Sequence, residues 1–448
     1  MTETKRQMRL GAFLSGAGHH LAAWRYPGAN EQGILDFNHY KYLAQLAERG
    51  KFDMIFFADI LAVSDHFDTA ITRMAAIRPE PITLLSALSV VTERIGLTGT
   101  LSSTFSEPYN VARQFAMLDH LSNGRAAWNV VTTSNQGAAG NFGETPHMEH
   151  HRRYERAKEY LDVVTKLWDS WEDDALILDK ENGIFANKDK VHPANHNGTW
   201  FSVKGPLTIP RSAQGRPVVI QAGSSTDGRD FAAQTAEVIF TAWQTLEEAR
   251  AFYQDVKSRA VAYGRSHADL LVLPGVLPII GATENEALRK YEHFQSLIHP
   301  EAAITLLSGM IGYDLTSYDP NEPFPDLPDT SNGVKGRLHL IKDIAKRDEL
   351  SILEVSRRIA GARGHWTIFG TPSSIADQLE AWFVGGGCDG FNIMAPYFPG
   401  GLEEFVDLVL PELRKRGLFR NEYEGTTLRE NLGLSRPVNR YAKESTPV

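Results

Sequence analysis

The sequence predicts an α/β fold, a closed (β/α)8 barrel with insertions. Three observations carry this. Strand and helix patterns alternate along most of the 448 residues. The strand segments are nearly continuous apolar runs, as in parallel sheets covered on both faces. Eight such runs occur, enough to close a TIM barrel with its reactive groups at the C-terminal strand ends. A doubly wound open sheet is the alternative.

In chain order, "MRLGAFLS" (8–15) reads as the first strand. The residues from Met1 to it imitate a signal peptide, but the apolar run is short and glycine-rich and no cleavage site follows. An amphipathic helix over 36–53 leads to the strand "MIFFAD" (54–59). A helix over 80–96, the strand "LTGTLSS" (97–103), a helix over 107–125 and the strand "AAWNVVTT" (126–133) follow. After a loop at 134–144, residues 145–171 predict a helix. Tyr154, Ala157, Leu161, Val164, Trp168 and Trp171 form its apolar stripe, and His147 and His150 extend that stripe backwards. The remaining units pair strands at 217–223, 237–243, 270–281 and 391–396 with helices at 227–236, 245–264, 283–298 and 400–417. Residues 174–212 and 299–365 are too long for plain connections and read as insertions or lids. The polar extension over about 418–448 reads as lying on the surface or on a partner subunit.

Composition narrows the function. The net charge is −9 and no basic–aromatic run occurs, which argues against nucleic acid. No apolar stretch approaches the ~20 residues of a membrane helix. The single cysteine, Cys388, fits a reducing cytosol. "GGGCDG" (385–390) has the spacing of a dinucleotide fingerprint, but a helix precedes it and a strand follows, the reverse of what that motif needs. No phosphate-binding P-loop and no G-x-S-x-G elbow occur. His147, His150 and His151 lack the spacing and partners of a zinc site, so no metal is expected.

Two helix starts carry the positive signal. The strand at 217–223 runs into Gly223, Ser224, Ser225 and Thr226, where glycine admits a ligand to the backbone and hydroxyls donate. The preceding unit opens its helix with His150 and Tyr154. Helix N-termini attract anions, so one phosphate fits between the two starts. Other strand ends are polar: Asp59, Ser102, Ser103, Thr104, Asn129, Thr132 and Thr133. Together they suit a neutral, multiply hydrogen-bonded ring attached to a phosphate.

The ordered set "AAWRYP", "ERGKFDMIFFAD", "EPYNVARQFAMLDHLSNGRAAWNVVT", "RYERAKEYLDVV", "RPVVIQAGSSTDGRDFAAQTAE" and "GTTLRENLGL" resembles the bacterial luciferase-like flavin-dependent monooxygenases. The similarity spans nearly the whole chain. It points to the branch holding nitrilotriacetate monooxygenase component A and dibenzothiophene-sulfone monooxygenase. The resemblance implies a barrel, reduced FMN as cosubstrate, dioxygen, and a separate NAD(P)H:FMN reductase. It implies oxidation of a small organic molecule, at a C–N or C–S bond, by a cytoplasmic homo-oligomer, dimer or tetramer. Asp59, Thr104, Asn129, His150, Tyr154, Ser224 and Ser225 become the expected FMN contacts, with His150, Tyr154 and Ser225 at the phosphate. His19 and His20 are both possible catalytic groups, since an imidazole titrates near neutrality and can exchange a proton with activated oxygen. Phe13, Phe56 and Trp243 are the expected pocket walls. The alternatives are a deazaflavin-dependent oxidoreductase on the same barrel and a non-catalytic flavin-binding protein.

Overall fold

The computed structural model describes residues 6–63, 67–328 and 335–442. Eight parallel strands close into a barrel. They are β1 (Arg9–Phe13), β2 (Met54–Phe57), β3 (Gly96–Ser102), β4 (Ala126–Val131), β5 (Val218–Gln221), β6 (Val238–Thr241), β7 (Leu271–Ile280) and, after β8 (Trp366–Gly370), β9 (Gly390–Ile393). Each pairs with its neighbour, and β1 meets β9 with Gly11 opposite Asn392 to complete the ring. The open-sheet alternative is thereby excluded.

One strand escaped the sequence reading. The first four residues of β7 pair with β6, and its last five pair with β8, from Val276–Trp366 to Ile280–Gly370. This ninth strand extends the sheet at the barrel rim. It follows a long helical stretch, and its five residues "WTIFG" are too few to carry a clear alternation.

Side chains alternate across each strand, so each wall has an inner and an outer set. Phe13, Met54, Phe56, Val218, Ile220, Val238, Phe240 and Leu273 pack inside. Leu10, Ile55, Leu97, Trp128 and Phe391 belong to the larger cluster between sheet and helices. Over 174–212 the chain forms two short hairpins, Leu176–Asp179 with Ile184–Ala186 and His196–Asn197 with Ser202–Val203. Over 299–365 it forms the helices Pro300–Ile311, Lys335–Arg347 and Ile352–Ala362, whose apolar faces share a separate small core. Residues 329–334 of that stretch lie outside the described residues.

The C-terminal extension corrects an expectation. It does not simply lie on the surface. Leu428, Leu432 and Leu434 are buried among the inner barrel residues and close its N-terminal end. Arg429, 1% exposed, binds the Glu237 carboxylate and the Arg216 carbonyl. The polar composition hid three leucines spaced for one short helix and its exit. Residues 443–448 lie outside the described residues. Since deleting a buried leucine costs about 2–5 kcal/mol, Leu428→Ala should lower unfolding free energy by that amount. Urea denaturation followed by tryptophan fluorescence measures it, and a change below about 0.5 kcal/mol would mean the plug is not part of the folded core.

Candidate active site

The C-terminal strand ends form the mouth. On one side two helices start close together. Ser225 caps the helix Thr226–Thr235, its Oγ accepting from the Gly228 N–H at 3.1 Å. The helix His150–Trp168 begins beside it. His150 Nδ1 lies 3.2 Å from Asp227 Oδ2, and its Nε2 lies 3.5 Å from Ser225 Oγ. Tyr154 is buried, and burial raises its phenol pKa against hydrogen bonding to Ser225 and Thr132. A Cβ at Gly223 or at Gly228 would stand 3.0 Å from Tyr154 Oη. Only glycine lets the strand-end loop, the helix start and the phenol approach so closely. Ser224 is half-buried in the same loop, and its carbonyl accepts from Arg229 Nε at 2.9 Å.

The helix expected from residue 145 begins at His150, with Glu149 before it outside the helical conformation at ψ 147°. His147 therefore sits in the turn before the helix, with Nε2 2.7 Å from the Thr133 carbonyl. Trp171 lies past the other end and donates to the Leu207 carbonyl at 2.7 Å.

Across the mouth, polar groups line neighbouring strands. Asn129 donates through Nδ2 to Thr100 Oγ1 at 2.9 Å, and its buried Oδ1 has no partner among the described residues. Thr104 Oγ1 donates to the Thr132 carbonyl at 2.9 Å. Asp59 follows β2, and its carboxyl pKa is pushed up to about 6, chiefly by burial, with the Ile60 N–H opposing and Glu80 adding.

Below these groups lies an aromatic floor. Phe13 meets Phe56 at 4.9 Å and Phe240 at 5.5 Å between ring centroids, both edge-on. His365 stacks on Phe240 at 4.9 Å. Trp243 does not join this group; its ring rests on Phe252 of the outer helix Leu246–Ala262 at 5.1 Å. The missed residue is Phe240, and strand alternation contained the signal. Val238 and Phe240 share the inner face, and Trp243 belongs to the opposite parity.

Both first-loop histidines are buried, His19 at this floor and His20 against Phe294, 4.9 Å between ring centroids. The His19 ring packs on Phe13 at 4.2 Å between centroids, and its Nε2 lies 2.8 Å from the Phe13 carbonyl. Burial, reinforced by Arg363, lowers the pKa of each ring to about 3. The expected titration near neutrality is thus corrected: both rings are neutral. A carbonyl only accepts, so His19 carries its proton on Nε2 and a lone pair on Nδ1. His20 Nδ1 accepts from the Ala22 N–H at 3.2 Å, so its proton is on Nε2. The outward nitrogens, His19 Nδ1 and His20 Nε2, are buried without partners among the described residues. Adjacent histidines thus present opposite chemistry, one acceptor and one donor.

Among the described residues no group of three His, Cys, Asp or Glu side chains is placed to hold a metal. No described helix is long and apolar enough to cross a membrane.

Comparison with known proteins identifies the family of the chain. The model of the luciferase-like monooxygenase family matches residues 14–390. N-acetyl-S-(2-succino)cysteine monooxygenase of Bacillus subtilis (strain 168) is 51% identical over 446 residues, covering 99% of this chain and 100% of that protein. Nitrilotriacetate monooxygenase component A of Aminobacter aminovorans is 48% identical over 450 residues, covering 98% and 99%. Among solved structures, a riboflavin lyase with modified FMN and riboflavin has a TM-score of 0.87 at 32% identity, covering 97% of each chain. These relationships decide against the deazaflavin and non-catalytic alternatives. The chain belongs to the luciferase-like monooxygenase family and is an FMN-dependent monooxygenase of the two-component kind, supplied by a separate reductase.

Proposed function

We propose that reduced FMN binds with its phosphate between the two helix starts, at His150, Tyr154 and Ser225, and its ring above the aromatic floor. The convergence of Tyr154 Oη, Ser225 Oγ and His150 around two glycines carries this reading. The remaining groups fit a flavin. Asn129 Oδ1 is a buried acceptor without a protein partner, suited to a ring N–H. Asp59, Thr104 and Ser224 add polar contacts at the same rim. When bound, FMN supplies the activation of dioxygen. The chain itself supplies orientation and dryness. Phe13, Phe56 and Phe240 exclude water, and His19 offers a lone pair at Nδ1 beside them. His19 then acts as a hydrogen-bond acceptor, and His20 as a donor.

The substrate we propose is a small acidic molecule oxidised at a C–N or C–S bond. The two relatives above are named for substrates carrying such bonds. We further propose a cytoplasmic homo-oligomer, a dimer or tetramer, without nucleic-acid partners. The single, buried cysteine and the net charge of −9 support the location and the absence of nucleic acid. The exposed Leu178 and Phe185, on the hairpin around residues 176–186, support a subunit contact.

Three outcomes test this reading. The purified chain alone should oxidise NADH negligibly, and adding FMN with an unrelated flavin reductase should start oxygen-dependent oxidation of N-acetyl-S-(2-succino)cysteine or nitrilotriacetate. Rapid NADH consumption by the chain alone would contradict it.

Tyr154→Phe and Ser225→Ala each remove a hydrogen bond to a charged group, worth ~1.5–3 kcal/mol. Reduced-FMN binding should weaken roughly 10- to 100-fold, while riboflavin binding stays within about twofold of wild type. Anaerobic titration of both ligands decides, and equal losses would remove the phosphate from this site.

The third outcome concerns pH. The folded histidines have pKa values of about 3 against the ordinary 6.5. Between those values the unfolded chain binds more protons, so their contribution to stability is full above 6.5 and is lost as pH falls towards 3. Asp59 and Asp119, raised by burial to about 6 from 3.8, act in the opposite sense between those values. Comparing His20→Gln with wild type cancels the carboxyl contributions. The stability difference between the two should change by up to about 1.4 kcal/mol per pH unit below 6.5. Parallel stability curves from pH 4.5 to 7.5 would show that His20 takes up its proton in the folded protein as it does in the unfolded chain.

A further inference from the structure

Beside the first-loop histidines is a narrow cleft of about 30 Å³, lined by Ser15, Gly18, His20, Trp24, Arg78 and Arg363 among others. That volume holds one small polar group and no ring. No acidic side chain among the described residues lines it. The cleft thus concentrates positive charge in a chain whose net charge is −9. Arg78 donates through Nη1 to the carbonyls of Ala75 and Ile77. Burial lowers its pKa, with Tyr40 opposing, and no described carboxylate pairs with it. His20, 2% exposed, brings an N–H at Nε2 with no partner among the described residues. A half-buried guanidinium and a buried N–H donor are therefore available to one acceptor-only group. Arg363 ends the helix Ile352–Ala362 in the left-handed conformation, φ 52°, rare for a side chain of its size, and adds a second cation at the cleft. Towards the barrel, the next ring is His19, packed on Phe13 of the aromatic floor.

We propose that this cleft is the substrate's carboxylate subsite, with Arg78 as the anchoring cation and the His20 Nε2–H as the second donor. This rests on the monooxygenase reading above. A guanidinium pairs with a carboxylate through charge-assisted, often bidentate hydrogen bonds. A carboxylate held there leaves the rest of the molecule over Phe13 and His19. The subsite lies apart from the helix starts that take the FMN phosphate, so the two anions bind independently. Arg78 thereby sets specificity for acids over their neutral esters.

The test uses full-length protein loaded with FMN, and N-acetyl-S-(2-succino)cysteine, nitrilotriacetate and their methyl esters as probes. Calorimetry measures probe binding to wild type, Arg78→Met and Arg78→Lys, and thermal melting checks that each variant is folded. At least one acid should bind wild type, bind Arg78→Met roughly 10- to 100-fold more weakly, and recover in part with lysine. Its ester should bind Arg78→Met and wild type alike, and FMN affinity should not change. Where an acid is turned over, its KM rises by the same factor. Equal losses for acid and ester, unchanged acid affinity in Arg78→Met, or no acid binding to wild type would each overturn the subsite. Binding is read without turnover, so a wild type that binds an acid but oxidises neither probe counts against the substrate proposed above and leaves the subsite standing.

Discussion

The barrel depends on how its N-terminal end is sealed. A parallel strand begins with backbone N–H groups that no preceding turn satisfies. Here an acidic residue stands immediately before three of the strands, and each serves a neighbour. Asp53 accepts from the Leu10 N–H at 2.7 Å, Glu237 from the Val219 N–H at 3.0 Å, and Asp389 from the Val272 N–H at 2.9 Å. Asp119, at the end of a helix, does the same for Ala126 at 2.9 Å. Each carboxylate needs a partner to be tolerated in the interior. Arg420 meets Asp53 at 2.6 Å, Arg429 meets Glu237, and Lys257 meets Asp389 at 3.0 Å. Ser212 and Gln214 serve Asp119. The balance differs between sites. Burial wins at Asp53 and raises its pKa, whereas at Glu237 burial is outweighed, mainly by Arg429, and the pKa falls.

Two of those cations, Arg420 and Arg429, come from the C-terminal extension, which also brings the leucine plug. The tail therefore completes both the apolar and the electrostatic parts of the barrel base. At the opposite end Asn129 Oδ1, His19 Nδ1 and His20 Nε2 are buried without partners among the described residues, as single atoms of Arg420, Arg429 and Asn431 are at the base. Each such atom costs about 1–3 kcal/mol when buried alone. A base closed by paired charges can carry that cost, and a ligand at the mouth relieves it. Stability and binding are thus separated along the barrel axis.

What the sequence disclosed follows the same division. The strands were legible because burial on both sides makes apolar runs, and the donor-rich helix starts because their residue types differ from core. Asp53 was read as the end of a helix, Asp389 as part of a turn and Glu237 as the first residue of its strand, since one carboxylate beside a strand has no pattern of its own. Their partners lie far away in sequence; Arg420 reaches Asp53 across 367 residues. The tail's role was hidden for the same reason. The ninth strand and the exchange of Trp243 for Phe240 were local errors, one of length and one of parity.

The histidines show why residue type alone did not give their chemistry. An isolated imidazole suggests proton exchange near neutrality. Complete burial against Phe13 and Phe294, with Arg363 nearby, makes the charged form costly for both His19 and His20. What distinguishes them is which nitrogen the backbone occupies. A carbonyl at His19 Nε2 leaves an acceptor pointing elsewhere, and an N–H at His20 Nδ1 leaves a donor. Two identical side chains in sequence therefore divide between two tasks, the acceptor beside the aromatic floor and the donor in the cationic cleft. The division is set by two backbone hydrogen bonds rather than by any difference in acidity.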